Sequence, residues 1–209
     1  MLDVGAGTGI ATRQLLAHGA SVTAVEPGRN VLARAAERTP GLRAVLADGA
    51  VLPIRDSTVD LICFAQSWHW LDAASRTPEA HRVLVDGGRW AAWWSHARAD
   101  ADAWFNDCWS IVERACPGTH RGQRDIDWGA TVGDSSGFDL HDRIAVPWQR
   151  EVSVDGWITE QASHSHIALL PEPDRLRLLD QLRAVIDEAF PDGTMSVHYE
   201  TWLWIAVKA

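Results

Sequence analysis

A chain of 209 residues with 46% hydrophobic content can bury a core without disulfide or metal staples. Its formal net charge of −9 opposes nonspecific attraction to nucleic acid or to an anionic membrane, both of which select basic patches. Cys63, Cys108 and Cys116 are odd in number and make no C-x-x-C spacing, so a reduced, cytoplasmic setting fits better than a disulfide framework or a zinc site. No apolar run is long enough to span a bilayer and no leader is expected. A single domain over residues 1–209 is expected, with a small-molecule partner and no membrane or nucleic-acid partner.

Leu2, Asp3 and Val4 read as the end of a buried strand. Gly5, Gly7 and Gly9 follow, and residues 10–18 carry apolar positions at helical spacing before Gly19, a good helix stop. Residues 21–25 alternate and are β-branched, so a second strand is expected, ended by Glu26-Pro27-Gly28. Residues 30–38 read as a helix, 42–46 as a third strand, 59–65 as a fourth, 66–70 as the loop after it, 72–84 as a helix and 89–94 as a fifth strand. Residues 100–115 place Trp104, Cys108, Ile111, Val112 and Ala115 on one helical face. Residues 116–137 look like a long irregular insertion. Two late strands, 138–150 and 195–207, enclose helices parted by Pro171 and Pro173.

This alternation gives an α/β fold: a doubly wound, mostly parallel sheet with helices on both faces and one late strand antiparallel. Ligands bind such sheets beyond the carboxyl ends of the strands. Asp3–Gly9, Glu26, Asp48 and Gln66–Trp70 all fall at those ends, so topology brings together residues that are distant in sequence. A glycine-rich turn between strand and helix exposes bare backbone N–H groups to a ligand. A dinucleotide fingerprint places its third glycine where this chain has Ile10, which argues against a nicotinamide oxidoreductase. Glu26, about 21 residues after Gly5, is positioned to accept from both ribose hydroxyls; the alternative is a solvated acid before a turn.

The Asp3-Val-Gly-Ala-Gly-Thr-Gly9 loop resembles the nucleotide loop of class I S-adenosylmethionine-dependent methyltransferases. Ala65-Gln66-Ser67-Trp68-His69-Trp70 resembles the A-Q-x-x-H-W segment of their type 11 subfamily, which includes trans-aconitate methyltransferase-like enzymes. Asp48-Gly49-Ala50-Val-Leu-Pro-Ile resembles that family's D-A-x-x-L-P-F/L run, with Ala50 where many members have an acid. The resemblance implies a Rossmann-like seven-stranded sheet of order 3-2-1-4-5-7-6. It further implies a cofactor half over 1–95, a substrate-side half over 96–209, and S-adenosylmethionine as cofactor.

On that resemblance the cofactor contacts are Asp3, Gly5, Ala6, Gly7, Thr8, Gly9, Glu26, Pro27, Asp48, Gly49, Ala50, Ala65, Gln66 and Ser67. Asp3 helps hold the methionine ammonium, or else lies buried against backbone amides. Asp48 accepts from the adenine amino group, or is a plain turn residue. His69 faces the transferred methyl and serves as a base for a hydroxyl or amine, or only orients its loop. Trp68, His69, Trp70 and Trp94 are the expected substrate contacts, with the aromatic rings walling a pocket or else belonging to the core. His164 and His166 lack the partners a metal needs, and no metal is expected. The segment 120–124 meets an anionic substrate or is a solvated loop. The first strand starts at residue 1, whereas the family has one or two helices before it. A truncated member is therefore expected, with a catalytically degenerate cofactor-binding protein as the alternative.

Overall fold

A computed structural model of the chain describes residues 1–119, 121–133 and 137–209. Its strands are β1 (Leu2–Val4), β2 (Thr23–Glu26), β3 (Arg43–Leu46), β4 (Val59–Ala65), β5 (Leu84–Ala97), β6 (Phe138–Ser153) and β7 (Thr194–Lys208). Its helices are α1 (Ile10–Ala17), α2 (Arg29–Arg38), α3 (Arg76–Val83), α4 (Ala103–Ala115), the short α5 (Ala130–Gly133), α6 (Val154–Ser163), α7 (Ser165–Ala168) and α8 (Glu172–Ala189).

The strands form one sheet in the order β3-β2-β1-β4-β5-β7-β6, with β7 antiparallel to the rest, as the family resemblance implied. β1 lies between β2 and β4, with Leu2 opposite Thr23 on one side and Ile62 on the other. All of β1 is buried, which suits a central parallel strand covered on both faces. Gly19 sits at φ 84° and closes α1. Its N–H and that of Ala20 turn back onto the carbonyls of Leu16 and Leu15, satisfying the helix end.

Several boundaries differ from expectation. The helix expected from residue 72 begins at Arg76, because Asp72 instead accepts from the Ser75 N–H at 3.1 Å and makes a capping turn. The helix expected from residue 100 begins at Ala103. Asn106 holds the preceding backbone, donating to the Asp100 and Asp102 carbonyls. Residues 68–70 are not open loop but a tight helical turn, Trp68–Trp70. The region read as irregular carries another such turn, Arg121–Asp125, and α5.

The chain divides into two compact units. The first comprises Met1–Ser95, Asp127–Ala145 and Trp202–Ala209. Its core runs from Leu2, Val4 and Ile62 to a cluster of large aromatics in which Phe64, Trp68 and Trp90 meet edge to face or tilted. Such pairs contribute about 1 kcal/mol each beyond burial.

The second comprises His96–Ile126 and Val146–Thr201. It packs α4 against α6 and α8 around Cys108, Ile111, Trp157, Leu178, Leu182 and Ile186. Trp104 and Ala115, expected on the α4 apolar face, pack at its margin. Within this unit Arg124 is a structural staple. Its guanidinium donates to the Ala97 carbonyl at 2.6 Å and to Asp100 at 2.7 Å, and lies over the rings of Phe105 and Trp109. His120, in the same expected anion-binding segment, lies outside the described residues. Among the described residues no helix is long and apolar enough to cross a membrane.

Candidate active site

The loops that follow β1, β2, β3 and β4 interlock through small residues and backbone groups. Gly5, Gly7 and Gly9 sit at φ 70°, 59° and 79°. In this left-handed region a Cβ is strained, so the turn can expose its peptide N–H groups. Gly5 is fixed by a second requirement. A Cβ there would stand 2.4 Å from Ser67 Cβ, so only hydrogen lets the loop after β4 close on the loop after β1. Ser67 completes that junction by donating its hydroxyl to the Val4 carbonyl at 2.5 Å. Gln66 makes the approach possible by adopting φ 57°, a conformation that costs a non-glycine residue about 1 kcal/mol. Its N–H donates to the Trp93 carbonyl at 2.9 Å, which anchors the strained turn to β5.

Glu26 bridges the loops after β1 and β2. Its Oε2 accepts from the Gly7 N–H at 3.0 Å and its Oε1 from the Gly28 N–H at 2.9 Å. A carboxylate has about four lone-pair positions, so one on each oxygen is left for a ligand. Pro27 between them is exposed. In the next loop Asp48 Oδ1 accepts from the Ala50 N–H at 2.9 Å, while its exposed carboxylate makes no other hydrogen bond among the described residues. Gly49 brings that loop against β1, since a Cβ there would lie 2.4 Å from Val4 Cγ1. Arg82 and Glu79 on α3 hold the rest of the same loop. Arg82 donates to the Ile54 and Leu52 carbonyls at 2.8 and 3.0 Å, and Glu79 accepts from the Leu52 N–H at 2.5 Å. The stretch ending at Leu84 therefore has a structural task.

The turn Trp68–Trp70 separates its residues by role. Trp68 is wholly buried, with its ring against Phe64 and Trp90 and its Nε1–H donated to Thr131 Oγ1 at 3.1 Å. Trp70 is 66% exposed, an uncommon position for so large an apolar ring. Between them His69 packs beside Trp70, with centroids 4.7 Å apart, and beside Trp128, at 5.8 Å. Trp94 is almost fully buried, stacks on Trp128 at 5.0 Å, and donates its Nε1–H to His69 Nδ1 at 3.3 Å. Burial, reinforced by the positive charge of Arg76, holds the His69 pKa below its ordinary value. His69 is therefore neutral at pH 7, and because Nδ1 accepts, its proton resides on Nε2.

A sequence model of the methyltransferase domain matches residues 2–92. An uncharacterized methyltransferase from Mycobacterium bovis is 30% identical over 190 residues, covering 89% of this chain and 72% of the relative. The chain belongs to the methyltransferase family. Among solved structures, an Anaeromyxobacter dehalogenans protein described as a type II methyltransferase matches with a TM-score of 0.72 and 20% identity, over 99% of this chain and 88% of its own. Geranyl diphosphate C-methyltransferase from Streptomyces coelicolor, solved with S-adenosyl-L-homocysteine, matches with a TM-score of 0.56 and 14% identity, over 100% of this chain and 71% of its own. These last two likenesses are of fold.

In this methyltransferase the expected contacts sort into distinct groups. Gly7 is tied to Glu26, Gly5 meets Ser67, Gly49 and Ser67 both meet Val4, and Ala6 donates its N–H to the Val25 carbonyl at 3.0 Å. Thr8 accepts at its carbonyl from Arg13 at 2.8 Å, and Gly9 caps α1. Ala65 ends β4, paired opposite Trp93.

Asp3 turns away from this junction. It is fully buried, with Oδ2 accepting from Thr12 Oγ1 at 2.5 Å and Oδ1 from Cys63 Sγ at 3.9 Å; desolvation holds its pKa above the usual value. That is the buried alternative weighed for this acid, with a hydroxyl and a thiol rather than backbone amides as its main partners. Trp68 likewise takes the core place, fully buried with its ring edge to face against Phe64 and Trp90. His164 and His166 lie 5.6 Å apart, centroid to centroid, in the second unit.

Sequence reasoning passed over two residues beside His69. Arg76 looks from its spacing to Asp72 like half of a surface ion pair four residues apart, yet it is only 9% exposed. Trp128 falls in the stretch read as irregular, where no periodicity marks it as core.

Proposed function

We propose that this chain transfers a methyl group from S-adenosylmethionine to a small-molecule acceptor in the cytoplasm. The observation that carries the reading is the Glu26 carboxylate, which clamps the Gly7 N–H yet keeps a lone pair open on each oxygen at the mouth of a bare glycine turn. That is the acceptor set two vicinal ribose hydroxyls require. Asp48 supports it by offering an uncommitted carboxylate oxygen one strand over, suited to an exocyclic amine. When bound, S-adenosylmethionine supplies an electrophilic methyl group on a sulfonium with a good leaving group.

The chain's own work is then alignment and exclusion of water rather than heavy acid–base chemistry. Gly5, Gly7 and Ser67 shape the cradle, and Trp70 offers an apolar face beside it. A carboxylate acceptor has no proton to lose. A hydroxyl acceptor does, and His69 suits that task poorly in its present state. Its Nδ1 lone pair is engaged by Trp94, and its Nε2 already carries hydrogen. Asp3, sequestered by Thr12, fits the role of fixing the strand end better than that of holding the methionine ammonium.

The test is isothermal titration with S-adenosylhomocysteine. Saturable binding at one site is expected; no heat at millimolar ligand, with the protein folded by circular dichroism, overturns the reading.

A further inference from the structure

Among the described residues of the first unit, Arg76 is a charged group that the reading above leaves unused. Its side chain is more than nine-tenths buried, its Nε has no hydrogen-bond acceptor, and it makes no ion pair among the described residues. One terminal nitrogen donates to the Trp68 carbonyl at 3.1 Å. Its guanidinium lies 4.8 Å above the Trp68 ring and 6.0 Å from that of Trp128. Asp72 contributes a favourable field without a direct ion pair, and its Oδ2 accepts from the N–H and hydroxyl of Ser75. A buried cation without a direct ion pair is costly, and such groups mark places where an anion is received. His69 shares Trp128 as a neighbour, feels the Arg76 charge, and keeps its proton on Nε2 because Trp94 holds Nδ1.

We propose that Arg76 and the Nε2–H of His69 form a carboxylate-binding recess that recognises an anionic methyl acceptor. The guanidinium supplies charge and directed N–H groups, the imidazole supplies a neutral donor, and Trp70 covers the acceptor's apolar part. Assigning the carboxylate to the acceptor rests on the methyltransferase reading; the recess itself does not. A donor ligand also ends in a carboxylate, and the two sources are separable by experiment.

Acetate, with acetamide as the neutral control, is titrated into the full chain while the His69 ring nitrogens are followed by NMR, with and without saturating S-adenosylhomocysteine. Saturable acetate binding that raises the His69 pKa in both conditions, with no response to acetamide, is expected. Arg76→Gln is expected to weaken acetate roughly tenfold or more, Arg76→Lys less, and both to keep wild-type affinity for S-adenosylhomocysteine. If acetate competes with S-adenosylhomocysteine, or Arg76→Gln loses affinity for it, the recess serves the donor and the proposal falls. If acetate leaves wild-type His69 unmoved, Arg76 is a packing element and the proposal falls. Failure of S-adenosylhomocysteine to bind would sink the donor reading alone, since the acetate titration without it still decides the recess.

Discussion

The Trp94 indole N–H reaches the His69 Nδ1 across 3.3 Å and thereby decides which end of the imidazole can give a proton. Trp94 sits on β5 and His69 in the turn after β4, so adjacent parallel strands set the relationship. Trp94→Phe keeps an aromatic ring facing Trp128 and deletes the donor together with part of the ring volume. The expected result is a mixture of both His69 tautomers in long-range nitrogen–proton spectra, with the His69 pKa moving upward because the bond to neutral imidazole is gone. A spectrum still showing pure Nε2–H would place the tautomer's cause elsewhere.

Gly5→Ala should cost about 2–4 kcal/mol. It adds the strain of an L-residue at φ 70° to a collision at 2.4 Å with Ser67 Cβ. Gly41→Ala is the control. At φ 77° with no heavy atom within 4 Å, it should cost only about 1–2 kcal/mol from strain. Urea denaturation midpoints at matched slopes measure the difference, which should also appear as lost S-adenosylhomocysteine affinity at Gly5 alone.

Glu26→Gln exchanges one acceptor oxygen for an NH₂ and leaves either the Gly7 or the Gly28 N–H without its partner. A hydrogen bond to a charged group contributes about 1.5–3 kcal/mol, so S-adenosylhomocysteine affinity should fall roughly 10- to 100-fold. Calorimetry checks this, and unchanged affinity would remove Glu26 from the donor site.

Acid should destabilise the fold through histidines whose surroundings partly desolvate them. Desolvation lowers the pKa of His164 and of His166, which also feels His164, and likewise that of His69 and His81. Between those lowered values and the ordinary value of about 6.5, the unfolded chain binds more protons than the native one. Stability in that window therefore rises with pH and is lost as pH falls. Urea unfolding at pH 7.5 and 5.5 should show the drop. Replacing both His164 and His166 with Gln should reduce it without touching the loops around Gly5.

Much of the site was legible because strand ends in a parallel sheet face one edge. Knowing that Gly5, Glu26, Asp48 and Ser67 each follow a strand was enough to bring them near one another. The strands themselves were legible from β-branched alternation and glycine punctuation, as in β4, where expectation and structure share the same bounds. Helix starts were less so, since Asp72 and Ser75 compete with the helix for backbone N–H groups and no apolar period registers that.

The order of elements, the glycine turn and the identity of the strand-end acids are properties of the sequence alone, because local propensity and right-handed crossovers leave few alternatives. What a side chain does once it arrives belongs to packing. Trp68 and Trp70 are neighbours of the same type, yet one lies in the core and the other in solvent. Arg76 and Asp72 have the spacing of a surface pair, yet contacts with Trp68 and Trp128 bury the guanidinium and no direct ion pair forms between the two. Burial and hydrogen-bond partners are set by residues far away in the chain, and only the folded arrangement brings those residues into range.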